Sequence, residues 1–455
     1  MIYALQVELT KQAIEAIRSD IARQNSVFSD KKYLDSLFLP SNIIGRQEEA
    51  KVLLQQIESL RQGFVVPQIS VYGRSGAGKS TVVKFVCQNI LDLVSFAFVN
   101  LRKSKTVFGC ANLILSELGS ENLKSAEGLN KAVDRIGERI EKILESEKKK
   151  FFLLVLDEYD VIFSDPRGRP SDFVYKLLTL EENLREKGLW LCLITISNNA
   201  LSEHDLDDRV KSRMGNSEVF FRPYADDDII MILQDRADKA FLEKIDSDVL
   251  VYCARLSTED HGDARRALDL LRVSGELSDG KKITTADVDE AVKYLQKDRV
   301  FTIVSVASFH LRWLIGAICS QTLLTGNSWN STSSIYGKYC KLVEEIAEKP
   351  VKYRRAADLL CELENTGLLI SNTISRGRNG YGNEYKLKIP PEMVGPLVAG
   401  EWWEGEIKTK MKQEENKTFE KAIEEQYKKA DMHNMYLLGK SFGMKFDSNS
   451  DFVSM

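Results

Sequence analysis

Residues 69 to 80 read Ile-Ser-Val-Tyr-Gly-Arg-Ser-Gly-Ala-Gly-Lys-Ser. The first four residues form an apolar run typical of a buried strand, and the remainder fits the phosphate-loop pattern G-x-x-x-x-G-K-S/T at every fixed position. The glycines let the backbone wrap closely around an anion, and the N-terminus of the following helix favours negative charge. The stretch therefore predicts the nucleotide-binding core of an α/β fold. The residues expected to hold the nucleotide are Gly73, Arg74, Ser75, Gly76, Ala77, Gly78, Lys79, Ser80 and Thr81.

Two side chains of this loop have separate predicted tasks. Lys79 is expected to reach the β- and γ-phosphate oxygens, and the Ser80 hydroxyl is expected to bind Mg²⁺. The alternative, a glycine-rich turn without a ligand, does not explain the strand before the motif and the helix after it. The motif serves kinases, GTPases, motors and switches alike, so it predicts ATP or a related nucleotide without defining the reaction's purpose.

Composition sets the class of protein. The chain has 455 residues, of which 43% are hydrophobic and 29% charged, as expected for a soluble globular protein of several domains. No membrane-spanning run or signal peptide is recognisable, so we expect an intracellular protein without a membrane partner. Seven cysteines and four histidines never reach metal-ligand spacing, so no zinc is expected. The net charge of -4 argues against a protein that coats nucleic acid everywhere and leaves room for a local basic patch.

Apolar periodicity predicts how the chain is divided. Short runs at residues 68–72, 95–101, 151–156 and 189–197 indicate strands, and residues 128–147 carry the single apolar stripe of an amphipathic helix. This alternation is typical of a parallel sheet covered on both faces. The predicted domains are residues 1–223 as core, 224–300 as helical lid, 301–400 as a C-terminal module and 401–455 as a charged extension.

Two adjacent acids follow the apolar run that begins at Phe151. In P-loop ATPases the first carboxylate at this position holds Mg²⁺ and the second polarises the attacking water. We therefore assign Asp157 to the metal and Glu158 to the water. The alternative is a pair of solvated loop acids after a core strand, which the strand and the preceding phosphate loop make less favourable.

Further polar residues with candidate roles lie after the predicted strands and within the predicted lid. Asn198, directly after the strand that ends at Ser197, is expected to contact the γ-phosphate or the water, although asparagine there is also a common turn former. Either Arg209 or Arg213 is expected to act as a finger on a neighbouring subunit's nucleotide, or to be a surface arginine. Arg265 is expected to fold over the phosphates, or to pair with Asp269 one helical turn later.

These motifs together resemble the AAA+ replication initiators of archaea, the origin-recognition and cell-division-cycle-six group. The resemblance rests on Ile43-Ile44-Gly45-Arg46, the phosphate loop, Leu156-Asp157-Glu158-Tyr159-Asp160, Ile196-Ser197-Asn198, Asp207-Asp208-Arg209-Val210-Lys211-Ser212 and Gly262-Asp263-Ala264-Arg265-Arg266-Ala267-Leu268-Asp269. It implies an AAA+ ATPase core with a RecA-like parallel sheet, a helical lid and a C-terminal winged helix. It also implies that Ile44 and Arg265 contact ATP or ADP.

The same resemblance implies DNA as a partner. Origin duplex DNA would be bound by the winged helix and by a helical insert after the second strand, and the replicative helicase and other initiator subunits would be further partners. The basic residues expected at DNA are Arg354, Arg355, Arg376 and Arg378 in the winged helix and Arg102, Lys103 and Lys105 after the second strand. Phosphate contacts should dominate. Arg354, Asp358 and Glu362 also share one helical stripe, as on an ordinary solvated helix face.

Three functions compatible with this sequence remain open. The first is a replication initiator in which slow ATP hydrolysis acts as a switch, since an arginine finger must come from a neighbour. The second is a regulatory ATPase acting on promoters or partner proteins through its winged helix. The third is a clamp-loader-like remodelling ATPase whose C-terminal module only oligomerises.

Overall fold

The computed structural model describes residues 14–15, 18–19, 22–23, 26–59, 64, 66–200, 207–214, 217–259, 262–375, 381–398 and 405. The chain forms two compact units, one ending at Val292 and the other beginning at Lys293. The predicted wing residues Arg376 and Arg378 and the extension after residue 400, apart from Gly405, lie outside the described residues. The predicted domain limits at residues 223, 300 and 400 stay predictions.

A five-stranded parallel sheet forms the centre of the first unit. Its strands are β1 (Gln68–Gly73), β2 (Val94–Asn100), β3 (Phe151–Asp157), β4 (Trp190–Ser197) and β5 (Glu218–Phe221), in the order β2-β3-β4-β1-β5. The register pairs Asn100 with Asp157 and Tyr72 with Ser197. The carboxyl ends of the three central strands and of β2 therefore meet at one edge of the sheet, where the phosphate loop begins.

The sheet is covered on both faces, as the alternation of strands and helices predicts. The core helices are α1 (Gln47–Glu58), α2 (Lys79–Gln88), α3 (Val107–Glu117), α4 (Gly128–Glu147), α5 (Pro170–Glu186) and α6 (Asp208–Met214). Leu153 and Val155 of β3 pack in one apolar cluster with α1 and α2, whereas Leu154 and Leu156 pack in another with α3, α4 and α5. Successive residues of a strand point to opposite faces, so a continuous apolar run is what such a sheet requires.

The apolar runs did not reveal strand β5. It has four residues, pairs with β1 at the sheet edge, and alternates between exposed and buried side chains. Val219 and Phe221 are buried, whereas Phe220 is 56% exposed. A strand this short, with only one buried face, does not produce the long apolar run by which the other four were recognised.

Four helices follow the sheet: α7 (Asp226–Ala240), α8 (Ser247–Glu259), α9 (Ala264–Leu277) and α10 (Thr285–Val306). The last of them has a side-chain cap at its N-terminus. The backbone N–H and the hydroxyl of Thr284 both donate to the carboxylate of Asp287, each at 2.7 Å. Because α10 continues to Val306, it runs past the predicted lid limit at residue 300 and past the residue at which the first unit ends.

The second unit has the architecture of a winged helix. It contains α11 (Phe309–Thr325), β6 (Asn330–Ser331), α12 (Thr332–Glu345), α13 (Tyr353–Asn365), β7 (Leu369–Ser375) and β8 (Tyr381–Leu387). The three strands form an antiparallel sheet in the order β6-β8-β7, and one apolar cluster joins the sheet to the helices. Within the described part of the chain, no helix has the length and apolar character to cross a membrane.

Candidate nucleotide-binding site and DNA-binding elements

The phosphate loop joins β1 to α2 and depends on glycine at two positions. Gly76 has φ +76° and Gly78 has φ +86°, the left-handed region that glycine adopts without penalty. A Cβ at Gly76 would lie 2.0 Å from a carboxylate oxygen of Asp263, and one at Gly78 would lie 2.4 Å from the Tyr224 hydroxyl. The loop is thus packed tightly against residues of the lid and of the segment that leads to it.

Lys79 points back into the loop. Its Nζ donates to the carbonyl oxygens of Gly73 at 2.6 Å and Arg74 at 2.9 Å, and to Oδ1 of Asn198 at 3.3 Å. Burial lowers the pKa of Lys79, and the nearby Asp157 and Glu158 carboxylates act in the opposite direction. The structure therefore brings the predicted phosphate-binding lysine and the predicted Asn198 into contact.

Asp157 lies at the end of β3, beside the first turn of α2. Its carboxylate accepts hydrogen bonds from the Ser80 hydroxyl at 3.0 Å, the Glu158 backbone N–H at 3.0 Å and the Asn100 side chain at 3.4 Å. Burial raises the pKa of Asp157, and the hydrogen bond from Ser80 partly offsets this. Serine hydroxyl and carboxylate oxygens are ligands that Mg²⁺ takes together with phosphate oxygens and water, so this pair fits the predicted metal site.

Glu158 adopts a backbone conformation that is rare for its residue type. Its φ is +54°, and such left-handed non-glycine residues concentrate at functional sites. Its carboxylate is 27% exposed and lies 3.2 Å from Nη1 of Arg102. Arg102 is also one of the basic residues expected at DNA, and that expectation stays a prediction. In the structure its guanidinium lies beside the carboxylate expected to polarise water.

Two adjoining cavities lie on either side of the phosphate loop. The smaller, of about 310 Å³, is lined by Lys79, Ser80, Asp157, Glu158, Asn198 and Arg265, among others. The larger, of about 660 Å³, is lined by Ile44 and Thr81, as predicted, and by Phe38, Tyr224 and Arg236, which sequence patterns did not reveal. Gly76, Gly78 and Arg265 line both. The first cavity therefore has the chemistry for phosphates, and the second has a mixed lining whose apolar and aromatic side chains are suited to a base.

Arg265 lies at the start of α9. Asp263 caps this helix by accepting a hydrogen bond from the Arg265 backbone N–H at 2.9 Å. The pairing partner considered for Arg265, Asp269, is instead 3.3 Å from Nη2 of Arg272. Because the Arg265 side chain lines both cavities, its position fits the expected role of a lid arginine above the phosphates.

Both candidates for the arginine finger, Arg209 and Arg213, lie on α6, beside the ring of Tyr175. The guanidinium carbon of Arg209 is 5.6 Å and that of Arg213 is 5.0 Å from the ring centroid. Arg209 makes two hydrogen bonds to Asp207, of 3.0 and 2.6 Å, which hold the pKa of Asp207 at about 2. Arg213 pairs with Glu182. The Arg209 side chain is 68% exposed and that of Arg213 is 35% exposed, so Arg209 is the more available to a neighbouring subunit.

Comparison with known proteins identifies the family. Three family models match in order: the AAA model, described as the ATPase family associated with various cellular activities, over residues 69–221; the Cdc6 AAA+ ATPase-type lid domain over 230–293; and the CDC6 C-terminal winged helix domain over 302–395. The chain is 31% identical over 404 residues to ORC1-type DNA replication protein 1 of Sulfurisphaera tokodaii, and the alignment covers 85% of this chain and 96% of that protein.

The chain belongs to the ORC1-type DNA replication proteins.

Solved structures agree with this assignment. The Aeropyrum pernix ORC1 protein in complex with DNA superimposes with a TM-score of 0.69 at 26% identity, over 84% of this chain and 99% of that one. The Aeropyrum pernix ORC2 protein, in ADPNP-ADP complexes, gives a TM-score of 0.53 at 21% identity over 82% of this chain and 98% of that one, which shows the shared fold. The predicted fold class and family are confirmed.

In this ORC1-type chain, the basic segment after β2 is a short turn. Leu101–Lys103 form a single 3-10 turn, capped by Asn100, which accepts a hydrogen bond from the Arg102 backbone N–H at 3.0 Å. Arg102, Lys103 and Lys105 are exposed, whereas α3, which follows, has five buried side chains, among them those of Val107 and Ile114. The basic residues predicted to contact DNA therefore lie in this turn and just after it, before α3, whose apolar side chains pack into the core.

The winged helix of this ORC1-type chain presents basic residues at the start of α13. Lys352, Arg354 and Arg355 are exposed there. Glu362 is expected on the same helical stripe as Arg354. It pairs with Arg355 instead, whose Nη1 lies 3.1 Å from the Glu362 carboxylate. This ion pair is half exposed, so it is weak enough for a phosphate to replace it.

Proposed function

We propose that this chain is an ATP-dependent initiator of DNA replication that binds origin duplex DNA and uses ATP hydrolysis to change state. The observation that carries the proposal is the gathering of Lys79, Asp157 and Asn198 around one cavity, in a family member whose second unit is a winged helix. The Aeropyrum pernix ORC1 structure, a complex with DNA, supports the DNA-binding part. The proposed domain limits are those predicted at residues 223, 300 and 400.

The proposed cofactors are ATP or ADP with Mg²⁺. The loop from Gly73 to Ser80 and Thr81 would surround the phosphates, and Lys79 would exchange its loop carbonyl partners for phosphate oxygens. The Ser80 hydroxyl and the Asp157 carboxylate, 3.0 Å apart, would hold Mg²⁺, which when bound neutralises phosphate charge. Ile44 lines the larger cavity, where the base would lie.

Hydrolysis in this proposal needs groups from two chains. Glu158 would polarise the attacking water, Asn198 would orient it, and Arg265 would hold the lid over the γ-phosphate. The finger, Arg209 or Arg213, would come from another initiator subunit. Neither arginine is among the described residues that line the two cavities of its own chain. A single chain should therefore hydrolyse ATP slowly, as a switch requires.

DNA binding in this proposal is mainly electrostatic. Arg354 and Arg355 of α13, the wing residues Arg376 and Arg378, and the turn residues Arg102, Lys103 and Lys105 would contact phosphates. The helix start would be positioned by these contacts, as in other helix-turn-helix proteins. The replicative helicase is the proposed downstream partner, and the interior of an archaeal cell is the proposed location.

Salt-dependent DNA binding tests the proposal in solution. We expect the logarithm of the duplex affinity to fall linearly with the logarithm of the salt concentration, and each lost phosphate contact to reduce the slope by about 0.9. Arg355→Ala, and Arg376→Ala with Arg378→Ala, should reduce the slope. Arg185→Ala, which removes an exposed arginine of α5, is the matched control. Absence of binding at low salt would contradict any role on DNA.

The origin assignment needs a measurement on chromosomes. Chromatin immunoprecipitation should enrich the protein at replication start sites. Enrichment at scattered promoters with none at a start site would instead support a regulatory ATPase.

A further inference from the structure

Arg46 is a fully buried arginine, 0% exposed, outside the roles proposed so far. Its Nε donates to the Ala77 carbonyl of the phosphate loop at 3.0 Å, and its Nη2 donates to the Arg222 carbonyl at 2.6 Å. Its Nη1 lies 3.0 Å from the Glu49 carboxylate, which supplies the opposite charge. A buried guanidinium is costly unless its donors are satisfied, so these three contacts hold it in one place.

The guanidinium of Arg46 also stacks on an aromatic ring. Its central carbon is 3.8 Å from the ring centroid of Tyr224 and 5.7 Å from that of Phe221, the last residue of β5. Tyr224 lies in the short segment between β5 and the first lid helix, α7. Its hydroxyl lies against Gly78, where a Cβ would come within 2.4 Å. Arg46 and Tyr224 thus contact neighbouring residues of the phosphate loop, Ala77 and Gly78.

The backbone of Tyr224 in turn contacts the segment that begins α9. A Cβ at Gly262 would lie 2.6 Å from the Tyr224 carbonyl oxygen, so the two backbones touch. Gly262, with φ +72°, is followed by the helix cap Asp263, and Arg265 comes two residues later. A continuous set of contacts therefore runs from the phosphate loop through Arg46, Tyr224 and Gly262 to the lid arginine.

We propose that Arg46 and Tyr224 are positioning residues that couple the phosphate loop to the start of α9, so that a nucleotide bound at the loop sets the position of Arg265. The coupling rests on the proposed nucleotide binding. It follows from the geometry of the guanidinium, whose planar fork contacts the loop carbonyl and the Arg222 carbonyl at once. A shift of the loop carbonyl must move the fork, and with it the ring stacked at 3.8 Å. Lysine carries its three donors on a single nitrogen and lacks the planar fork, so it cannot contact the two carbonyls and stack flat on the Tyr224 ring as the guanidinium does.

Hydrogen exchange of residues 262–277 in the full chain, with and without saturating ADP, tests this coupling. In the wild type, ADP should slow exchange at the start of α9 by about ten-fold or more. In Arg46→Lys and in Tyr224→Leu, ADP supplied at a concentration that saturates each variant should still bind, and the slowing should be lost. Arg139→Lys is the matched control, because Arg139 also donates twice to a backbone carbonyl, that of Leu118, away from the loop.

Calorimetric titration with ADP distinguishes the two proposals. If the wild type binds no ADP, the proposed nucleotide binding is wrong, and the coupling with it. If both variants bind ADP and keep the wild-type slowing in α9, the coupling alone is wrong.

Should either variant fail to fold, as judged by its thermal transition, Tyr224→Phe gives the second measurement. It keeps the ring and removes only the hydroxyl at Gly78, so about half or less of the slowing should remain. Full slowing in Tyr224→Phe together with full slowing in the folded variant would overturn the proposal.

Discussion

The guanidinium of Arg102 lies 3.2 Å from the carboxylate of Glu158. Arg102 follows strand β2 and Glu158 follows strand β3, and the two residues belong to different parts of the proposed function. Arg102 is in the basic turn proposed to contact DNA, and Glu158 is proposed to polarise the attacking water. A DNA phosphate would compete with the glutamate for the arginine, so we expect hydrolysis to be sensitive to this contact.

Removing Arg102 should raise basal ATP hydrolysis. The ion pair is largely exposed on the arginine side, 72%, so it is worth at most about 1 kcal/mol and its loss should raise the rate by no more than about five-fold. Steady-state turnover of Arg102→Ala without DNA measures this. Lys103→Ala, which removes a charge from the same turn, is the control and should leave turnover unchanged. A fall in turnover in Arg102→Ala would show that the arginine assists the reaction.

Substitutions at Glu158 and at Lys79 should separate nucleotide binding from hydrolysis. Glu158→Gln should keep ATP affinity and reduce turnover by about 10²-fold to 10⁴-fold, because the amide cannot accept a proton from water. Lys79→Ala should lose binding itself, since it removes the charge that lies among loop carbonyls. Calorimetric affinity and single-turnover rates provide the two measurements. Unchanged hydrolysis in Glu158→Gln would refute the role assigned to the carboxylate.

Nucleotide affinity should fall at alkaline pH because of Lys79. Burial lowers the pKa of this lysine from its ordinary value of 10.5, so the free protein begins to lose the proton below that pH. Bound phosphates favour the charged ammonium, and binding must then take up a proton. The affinity for ATP should therefore decrease as pH rises through the window between the lowered pKa and 10.5. Calorimetry in buffers of different ionisation enthalpy measures the proton uptake. In Lys79→Arg, whose guanidinium stays charged, no such uptake should occur.

Gly76→Ala should weaken ATP binding by the phosphate loop, beyond the loss of stability that the left-handed backbone conformation of Gly76 predicts. The new Cβ would lie 2.0 Å from a carboxylate oxygen of Asp263, so either the loop or the Asp263 side chain, which caps α9, must shift. Gly188→Ala is a matched control, since Gly188 also has positive φ, +71°, and a Cβ there meets nothing within 4 Å. Both changes should cost about 1 kcal/mol of unfolding free energy from backbone strain. Only Gly76→Ala should also weaken ATP binding, by about ten-fold or more. Equal affinities in the two variants would contradict the close contact with Asp263.

Sequence patterns predicted the nucleotide cavity in large part. Lys79, Ser80, Asp157, Glu158 and Asn198 each directly follow an apolar run or belong to the loop, so their positions could be read from local order. Parallel strands place their carboxyl ends at one edge, and residues after different strands therefore meet. What sequence order could not show was the partner of each side chain, such as Asn100 at 3.4 Å from Asp157.

The sequence by itself determined the fold class, the order of core, lid and winged helix, and which acidic and basic residues are candidates for the nucleotide site. These features depend on apolar periodicity and on motifs of adjacent residues, which are local in the chain. The tertiary structure alone decided that Arg102 pairs with Glu158 and that Arg46 connects Ala77 to the carbonyl of Arg222. Such contacts join residues up to 176 positions apart. They depend on strand register and on how the segments between the strands pack together, and no local pattern of the sequence predicts either.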